Sequence, residues 1–228
     1  MKTKSRLIIL LATLACIAAP LRLLAQFDQG HWYFKADLGA NWTQDADLKE
    51  FFGVESPGGK VRFDPGIRAG FGGGYNFTDW FATEFEMGVM QSWIRSMTDA
   101  TQVHDASFAN VPFMVNVKFQ WPNTKRFIPY IGGGIGGSAA IIDVDEIDLN
   151  GVSLHGSEST AVFAYQGFAG LKFQIDRQMT VGVEYHYFGT DDPSWEAHDF
   201  FGGVPPSDTM RFGHIQTHSF SAVFHYTF

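Results

Sequence analysis

Along most of this chain, apolar and polar residues alternate with a period of two. The last stretch shows the pattern plainly. Phe220, Ala222, Phe224, Tyr226 and Phe228 share one parity, Ser219, Ser221, His225 and Thr227 share the other, and Val223 breaks the pattern. Successive side chains of a strand point to opposite faces, so the alternation predicts strands with one apolar and one polar face. Read this way, the chain contains eight candidate strands. The first sets Trp32, Phe34, Ala36, Leu38, Ala40 and Trp42 against His31, Tyr33, Lys35, Asp37, Gly39, Asn41 and Thr43. The others cover about 62–76, 80–94, 108–121, 127–142, 160–175, 178–188 and 215–228.

The connections between these strands alternate in length. Asn76 to Asp79, Pro122 to Arg126 and Asp176 to Gln178 are short, whereas 44–61, 95–107, 143–159 and 189–214 are long and polar. A barrel that starts and ends on one side, with tight turns there and long loops opposite, produces this alternation. The predicted fold class is therefore all-β: an eight-stranded antiparallel up-and-down transmembrane β-barrel. A soluble barrel of the lipocalin sort has the same strand count with the faces reversed. Three features favour the membrane barrel: a secretory leader, the one-sided connections, and aromatics at strand ends such as Trp32, Trp42, Tyr75, Trp93 and Trp121.

The leader is read from Lys2, Lys4 and Arg6, the apolar run Leu7 to Ala19, and Ala25 as a cleavage point before Gln26. Residues 1–25 are thus expected to be a signal peptide and 26–228 the barrel domain. The run is short for a membrane anchor, and the residues before Cys16 fit a lipidation motif poorly. The whole chain carries 16 basic and 24 acidic residues, a formal −8. Removing residues 1–25 takes away four basic residues and no acidic ones, leaving 16 − 4 = 12 against 24, or −12. That balance argues against binding nucleic acid or anionic lipid through a basic patch. The sole cysteine leaves with the leader, so no disulfide is expected.

The segments Asn110-Val111-Pro112, Pro129-Tyr130-Ile131-Gly132-Gly133-Gly134-Ile135-Gly136 and Ala164-Tyr165-Gln166-Gly167-Phe168-Ala169-Gly170, together with the terminal Phe228, carry a family resemblance. Over residues 27–228 the chain resembles the OmpA-like outer-membrane β-barrel proteins, in the broad outer membrane protein beta-barrel domain group. The resemblance implies an eight-stranded barrel in the cell outer membrane, surrounded by membrane lipids and lipopolysaccharide. It brings no catalytic residue, cofactor or metal, and no peptidoglycan-binding domain after Phe228. It also implies that the barrel-assembly machinery reads the C-terminal strand through Phe228.

Each candidate for chemistry has a competing structural reading. Gly132-x-Gly134-x-x-Gly137 matches the dinucleotide fingerprint by letter, but no βαβ unit surrounds it. Glycine on an inward face instead lets a small barrel curve and leaves room for large neighbours. Lys35, Asp37, Arg68, Glu84, Glu86, Lys118, Lys172, Glu184 and His186 all fall on the polar face. Glu84 and Glu86 could form an acid–base pair, but with both signs present an ion-pair network is expected. His155, Ser157 and Glu158 resemble the His/Ser/acid set of outer-membrane lipid A deacylases, here placed in a long polar loop. Glu146-x-Asp148-x-Asn150-Gly151 resembles a calcium loop without its flanking helices. Asn150-Gly151 is also a strong hairpin-turn dipeptide, so 141–154 is expected to form a hairpin standing above the bilayer.

The reading that results is a monomeric, non-catalytic outer-membrane protein with a structural or surface-interaction role. Its interior is filled by polar side chains, and specificity lies in four long outer loops. The alternatives are a lipid-modifying enzyme and a small-solute channel.

Overall fold

A computed structural model describes residues 31–98, 100, 102–121, 126–149, 152–196 and 208–228. The expected leader, 1–25, and the turn dipeptide Asn150-Gly151 lie outside the described residues. The described part is all strand and connection: β1 (His31–Thr43), β2 (Ala46–Phe51), β3 (Val54–Phe63), β4 (Gly66–Asn76), β5 (Phe81–Met97), β6 (Gln102–Gln120), β7 (Phe127–Leu149), β8 (Val152–Gln174), β9 (Met179–Thr190), β10 (Ser194–Glu196), β11 (Thr209–Phe212) and β12 (Gln216–Thr227).

Eight of these close a ring in the order β1-β4-β5-β6-β7-β8-β9-β12, each pair antiparallel. The ring shuts where β1 meets β12, in a ladder running from Tyr33 against Thr227 to Thr43 against Thr217. Period two decides the faces as the sequence implied. Tyr33, Lys35, Asp37 and Asn41 are buried inside, while Leu38 and Trp42 are exposed outside. The outer wall carries Val115, Ile135, Val183 and Phe220, each more than half exposed. Aromatic rings mark both ends of this apolar band. On β1 the band runs from Trp32 to Trp42, roughly 33 Å along the strand at about 3.3 Å per residue. A tilt of about 40° shortens that to roughly 25 Å, the height of a membrane-facing barrel wall.

The tight turns sit at one end and are built by side chains that cap the backbone. Thr78 Oγ1 accepts from Phe81 N at 3.0 Å, and Asp176 Oδ1 accepts from Gln178 N and Met179 N, both at 2.8 Å. At the other end the structure departs from the sequence reading. Most of the predicted loops are strands. The segment read as loop 44–61 forms the β2–β3 hairpin, which turns at Phe52 and Gly53, both with positive φ. The segment read as 62–76 is split, its first two residues ending β3. The predicted loop 143–159 continues β7 and β8, with Ile147 opposite Leu154 and Leu149 opposite Val152. The expected hairpin is thus present on both sides of the undescribed turn. Asn110-Val111-Pro112, read as a strand start, lies in mid-β6. Proline lacks an N–H, and the β5–β6 ladder skips from Met87–Phe113 to Met90–Asn110 across it.

Beyond Trp93–Ser107 the β5–β6 ladder ends and the sheet divides into two arms. One arm continues from β5 through β3, β2 and β11 to β10; the other is the upper part of β6, β7 and β8. They face one another across an apolar cluster that includes Leu48, Val61, Phe63 and Ile94 from the first arm and Phe108, Ala140 and Ile142 from the second. Trp195 of β10 bridges them: its indole N–H donates to the Ala140 carbonyl at 2.8 Å. This two-armed crown stands on the barrel with no linker, since β5 to β8 belong to both.

Candidate functional site

Two regions concentrate chemistry: the charged lumen of the ring and the surface of the crown. In the lumen, alternation on six strands brings the sequence-predicted charges together. Lys35 Nζ lies 2.8 Å from Glu184 Oε1 and 3.3 Å from both Glu84 Oε1 and Glu86 Oε2. Arg68 donates through Nε to Asp37 Oδ2 at 3.0 Å and through its terminal nitrogen to Glu86. Lys118 Nζ is 3.1 Å from Glu84 Oε2 and 2.6 Å from the Tyr33 oxygen, while the Tyr33 hydroxyl donates to Glu84 at 2.8 Å. Amides close the outline: Asn116 Nδ2 donates to Glu86 at 3.3 Å, and Gln166 Nε2 to Asn116 Oδ1 at 2.9 Å.

The four cations Lys35, Arg68, Lys118 and Lys172 balance the four anions Asp37, Glu84, Glu86 and Glu184, all buried. Burying charge is tolerable only when each is paired and hydrogen-bonded, and this network meets that condition for seven of the eight. The exception is Lys172, which donates to Gln120 Oε1 at 2.7 Å and sits 5.2 Å from the Tyr130 ring centroid. Glu84 and Glu86 are saturated by cations and polar donors, an arrangement suited to structure rather than proton transfer. His186 contacts Glu184, and one ligand atom each from Asp37, Glu184 and His186 lies within 4.8 Å of the others. Lys35 and Arg68 already neutralise these carboxylates, so the cluster's charge is met without an ion.

The nine inward charges were legible in the sequence; Tyr33, Tyr130 and His225 were not singled out. Both tyrosines lie across a glycine of the neighbouring strand. A Cβ at Gly74 would come within 2.3 Å of the Tyr33 ring, and one at Gly170 within 2.3 Å of the Tyr130 ring. A large inward residue opposite an inward glycine was the available signal. Gly132 and Gly134 of the dinucleotide-like motif do the same work within β7, where a Cβ would strike Phe168 or the Val115 carbonyl at 2.3 and 2.2 Å.

Toward the crown the lining changes from charged to apolar. Met90, Met114, Ala164 and Phe188 form a first apolar layer. Asn41, Thr43, Ser92 and Thr217 follow, joined by hydrogen bonds of 2.8–3.1 Å, and then the crown's own core.

His155, Ser157 and Glu158 lie on β8 rather than in a loop. Alternation puts His155 and Ser157 on one face and Glu158 on the other, so the strand does not assemble them as a triad. Glu146 is exposed on β7; Asp148 is in the same strand, and the rest of the calcium-like motif lies outside the described residues. The two arms of the crown differ in charge. The β10-β11-β2-β3-β5 arm carries mixed pairs: Arg95 with Asp64 at 2.6 Å, Arg62 with Asp45 at 3.7 Å, and Lys60 with Asp47. The hydrogen bond and charge of Lys60 hold the Asp47 carboxyl below its usual range. The other arm exposes Asp105, Asp145 and Glu146, and the sequence has no Lys or Arg from Ser96 to Val117 or from Phe127 to Leu171.

Solved structures with the same architecture include OprG from Pseudomonas aeruginosa (TM-score 0.60, 14% identity, 87% of this chain and 96% of that one) and Neisserial surface protein A (0.52, 12%, 86% and 97%). A third is AlkL in lipid bilayers (0.50, 15%, 90% and 92%). At these identities the likeness is one of fold. No curated protein matches the sequence. The sequence does match the family described as outer membrane protein beta-barrel domain, over residues 8–228. With its closed eight-stranded ring, polar lumen and apolar outer wall, the chain belongs to that family and resides in the cell outer membrane.

Proposed function

We propose that this protein is a non-catalytic, monomeric component of the outer membrane whose work is done by its extracellular crown. One observation carries the reading. Above the outer aromatic girdle the chain builds an ordered, apolar-cored pair of strand arms, one purely acidic and one of mixed charge, on a lumen filled by its own side chains. An eight-stranded ring has room for its side chains and little else, which supports a structural or surface-interaction role over conduction. Specificity then rests on strand surfaces of the crown, with the acidic arm suited to a cationic partner. Lipopolysaccharide surrounds the outer half of the wall.

The test uses the full mature protein in planar bilayers and in a binding screen against envelope and host-surface components. The expected result is no discrete conductance, together with a ligand whose binding weakens when Asp105, Asp145 and Glu146 are replaced by Asn and Gln. A steady open conductance, or lipid A altered in mass only when the protein is present, would overturn the proposal.

A further inference from the structure

β8 rises out of the ring with one edge unpaired. Within the ring its odd-numbered residues turn their backbone toward β9, and the series ends where Asp191 N donates to the Phe163 carbonyl at 3.1 Å. Its even-numbered residues turn toward β7, and that ladder continues to the tip of the crown, to Leu149 opposite Val152. Above Phe163, no described strand pairs with the other edge of β8. The backbone N–H and C=O groups of Ser157, Ser159 and Ala161 therefore point sideways from the sheet with no backbone partner among the described residues. Such a row is a template for one more strand. From Ser153 to Ala161 it spans roughly 26 Å at about 3.3 Å per residue, the length of an ordinary strand. Residues 152–162 contain no proline and no lysine, the residues that commonly blunt an exposed edge.

We propose that this edge takes up an extended cationic peptide of a partner protein as an added strand. The proposal rests on the acidic arm being the recognition surface, and it supplies the partner's chemistry. The two faces beside the edge select that occupant. On the outer face Ser157 lies opposite Asp143 in the ladder, Asp145 and Glu146 occupy the β7 irregularity above it, and no Lys or Arg occurs from Phe127 to Leu171. Ser157 and Ser159 are small and exposed, so a Lys or Arg of the added strand extends over them toward the acidic residues of β7. The inner face leads into the apolar cluster of the crown through Ile142, Val144 and Val162. The fitting peptide thus alternates cationic and apolar residues. A second copy of this chain is disfavoured, because pairing two β8 edges would set two acidic arms side by side.

The test titrates the full mature protein in lipid nanodiscs with a nine-residue peptide of alternating Lys and Val. Binding is expected, and amide exchange should slow at Ser157, Ser159 and Ala161, whose N–H groups the peptide covers. Methylating alternate backbone nitrogens of the peptide, which keeps its charge and removes its donors on one edge, should weaken binding at least tenfold. Ser159→Pro should do the same, since it deletes an N–H that faces the open edge and leaves the β7–β8 ladder its bonds. Val54→Ser in the other arm should change nothing. Heat-modifiable migration on gels checks folding, and the methylated peptide decides the matter should Ser159→Pro fail to fold. Equal binding of the peptide methylated on either edge would overturn the proposal, as would equal binding of a Glu-Val peptide. So would self-association of the protein that Ser159→Pro abolishes, which would make the occupant a second copy. Loss of binding on neutralising Asp145 and Glu146, with no effect of methylation, would leave the acidic arm as the recognition surface and refute the added strand alone.

Discussion

Lys35 shows what a single side chain does in this lumen. It faces three carboxylates, Glu84, Glu86 and Glu184, on two other strands. Removing one partner of a buried pair leaves the other uncompensated, at a cost of about 3–5 kcal/mol. Lys35→Met is therefore expected to destabilise the barrel by roughly that amount in urea unfolding from lipid vesicles. Combining it with Glu184→Gln should cost less than the sum of the two single changes, because the second removes a charge the first has stranded. Near-additive losses would mean the pair is not coupled. Glycines provide a second residue-scale test. Gly134→Ala forces a Cβ against the Val115 carbonyl, whereas Gly137→Ala meets only the Val162 carbonyl at 3.6 Å. The first should cost at least about 2 kcal/mol and the second less than about 0.5 in the same assay. At this scale the residue types of the network were legible, since inward parity selected all nine charges. Their partners were not, because pairing depends on which strands adjoin and on reach across the lumen.

Strands carry the next set of consequences. β12 closes the ring, and Phe228, the residue after it, is fixed at the seam: its N donates to the Trp32 carbonyl at 2.9 Å, and its ring lies 5.2 Å from that of Tyr226. One hydrogen bond and one ring contact are small beside the ladder that precedes them. Deleting Phe228 is thus expected to lower the amount in the outer membrane while refolding into detergent survives. Normal membrane levels of the truncated protein would remove the assembly role. On β9, Val183 is 63% exposed in mid-band. Val183→Arg should cost about 2–4 kcal/mol, measured as loss of vesicle-refolded stability. The paired ends of β7 and β8 should protect amides in 143–149 and 152–157 from exchange; rapid exchange throughout would remove the hairpin. Strand identity was legible wherever faces alternate. It was hidden in β2, β10 and β11, which are short, and in β3, which contains Ser56-Pro57-Gly58-Gly59. The β2–β3 register jumps from Leu48–Gly59 to Glu50–Glu55 across that stretch, an irregularity that accommodates the proline.

For the whole molecule, the sequence reading reached the ring and, of the crown, only the β7–β8 hairpin. Ring closure follows from local hairpins and one terminal pairing, all signalled by alternation and turn length. The crown depends on contacts between segments far apart in the chain, such as Trp195 with Ala140 and Phe63 with Phe108, whose rings lie 5.7 Å apart. No local pattern announces these. The apolar residues of the crown were visible in the sequence, but polar neighbours made their segments read as loops.

The seam between β1 and β12 joins the two ends of the chain, and it has a temporal consequence. Lys35 and Asp37 lie on the first strand, while Glu184 and His186 lie beside the last. Until the final strand arrives, this balanced set of ions lines an open trough instead of a sealed interior, and the N-terminal strand has one bare edge. Delivery into the bilayer therefore has a natural finishing signal. Only the pairing of β12 with β1 and β9 closes the ring and withdraws these charges from water.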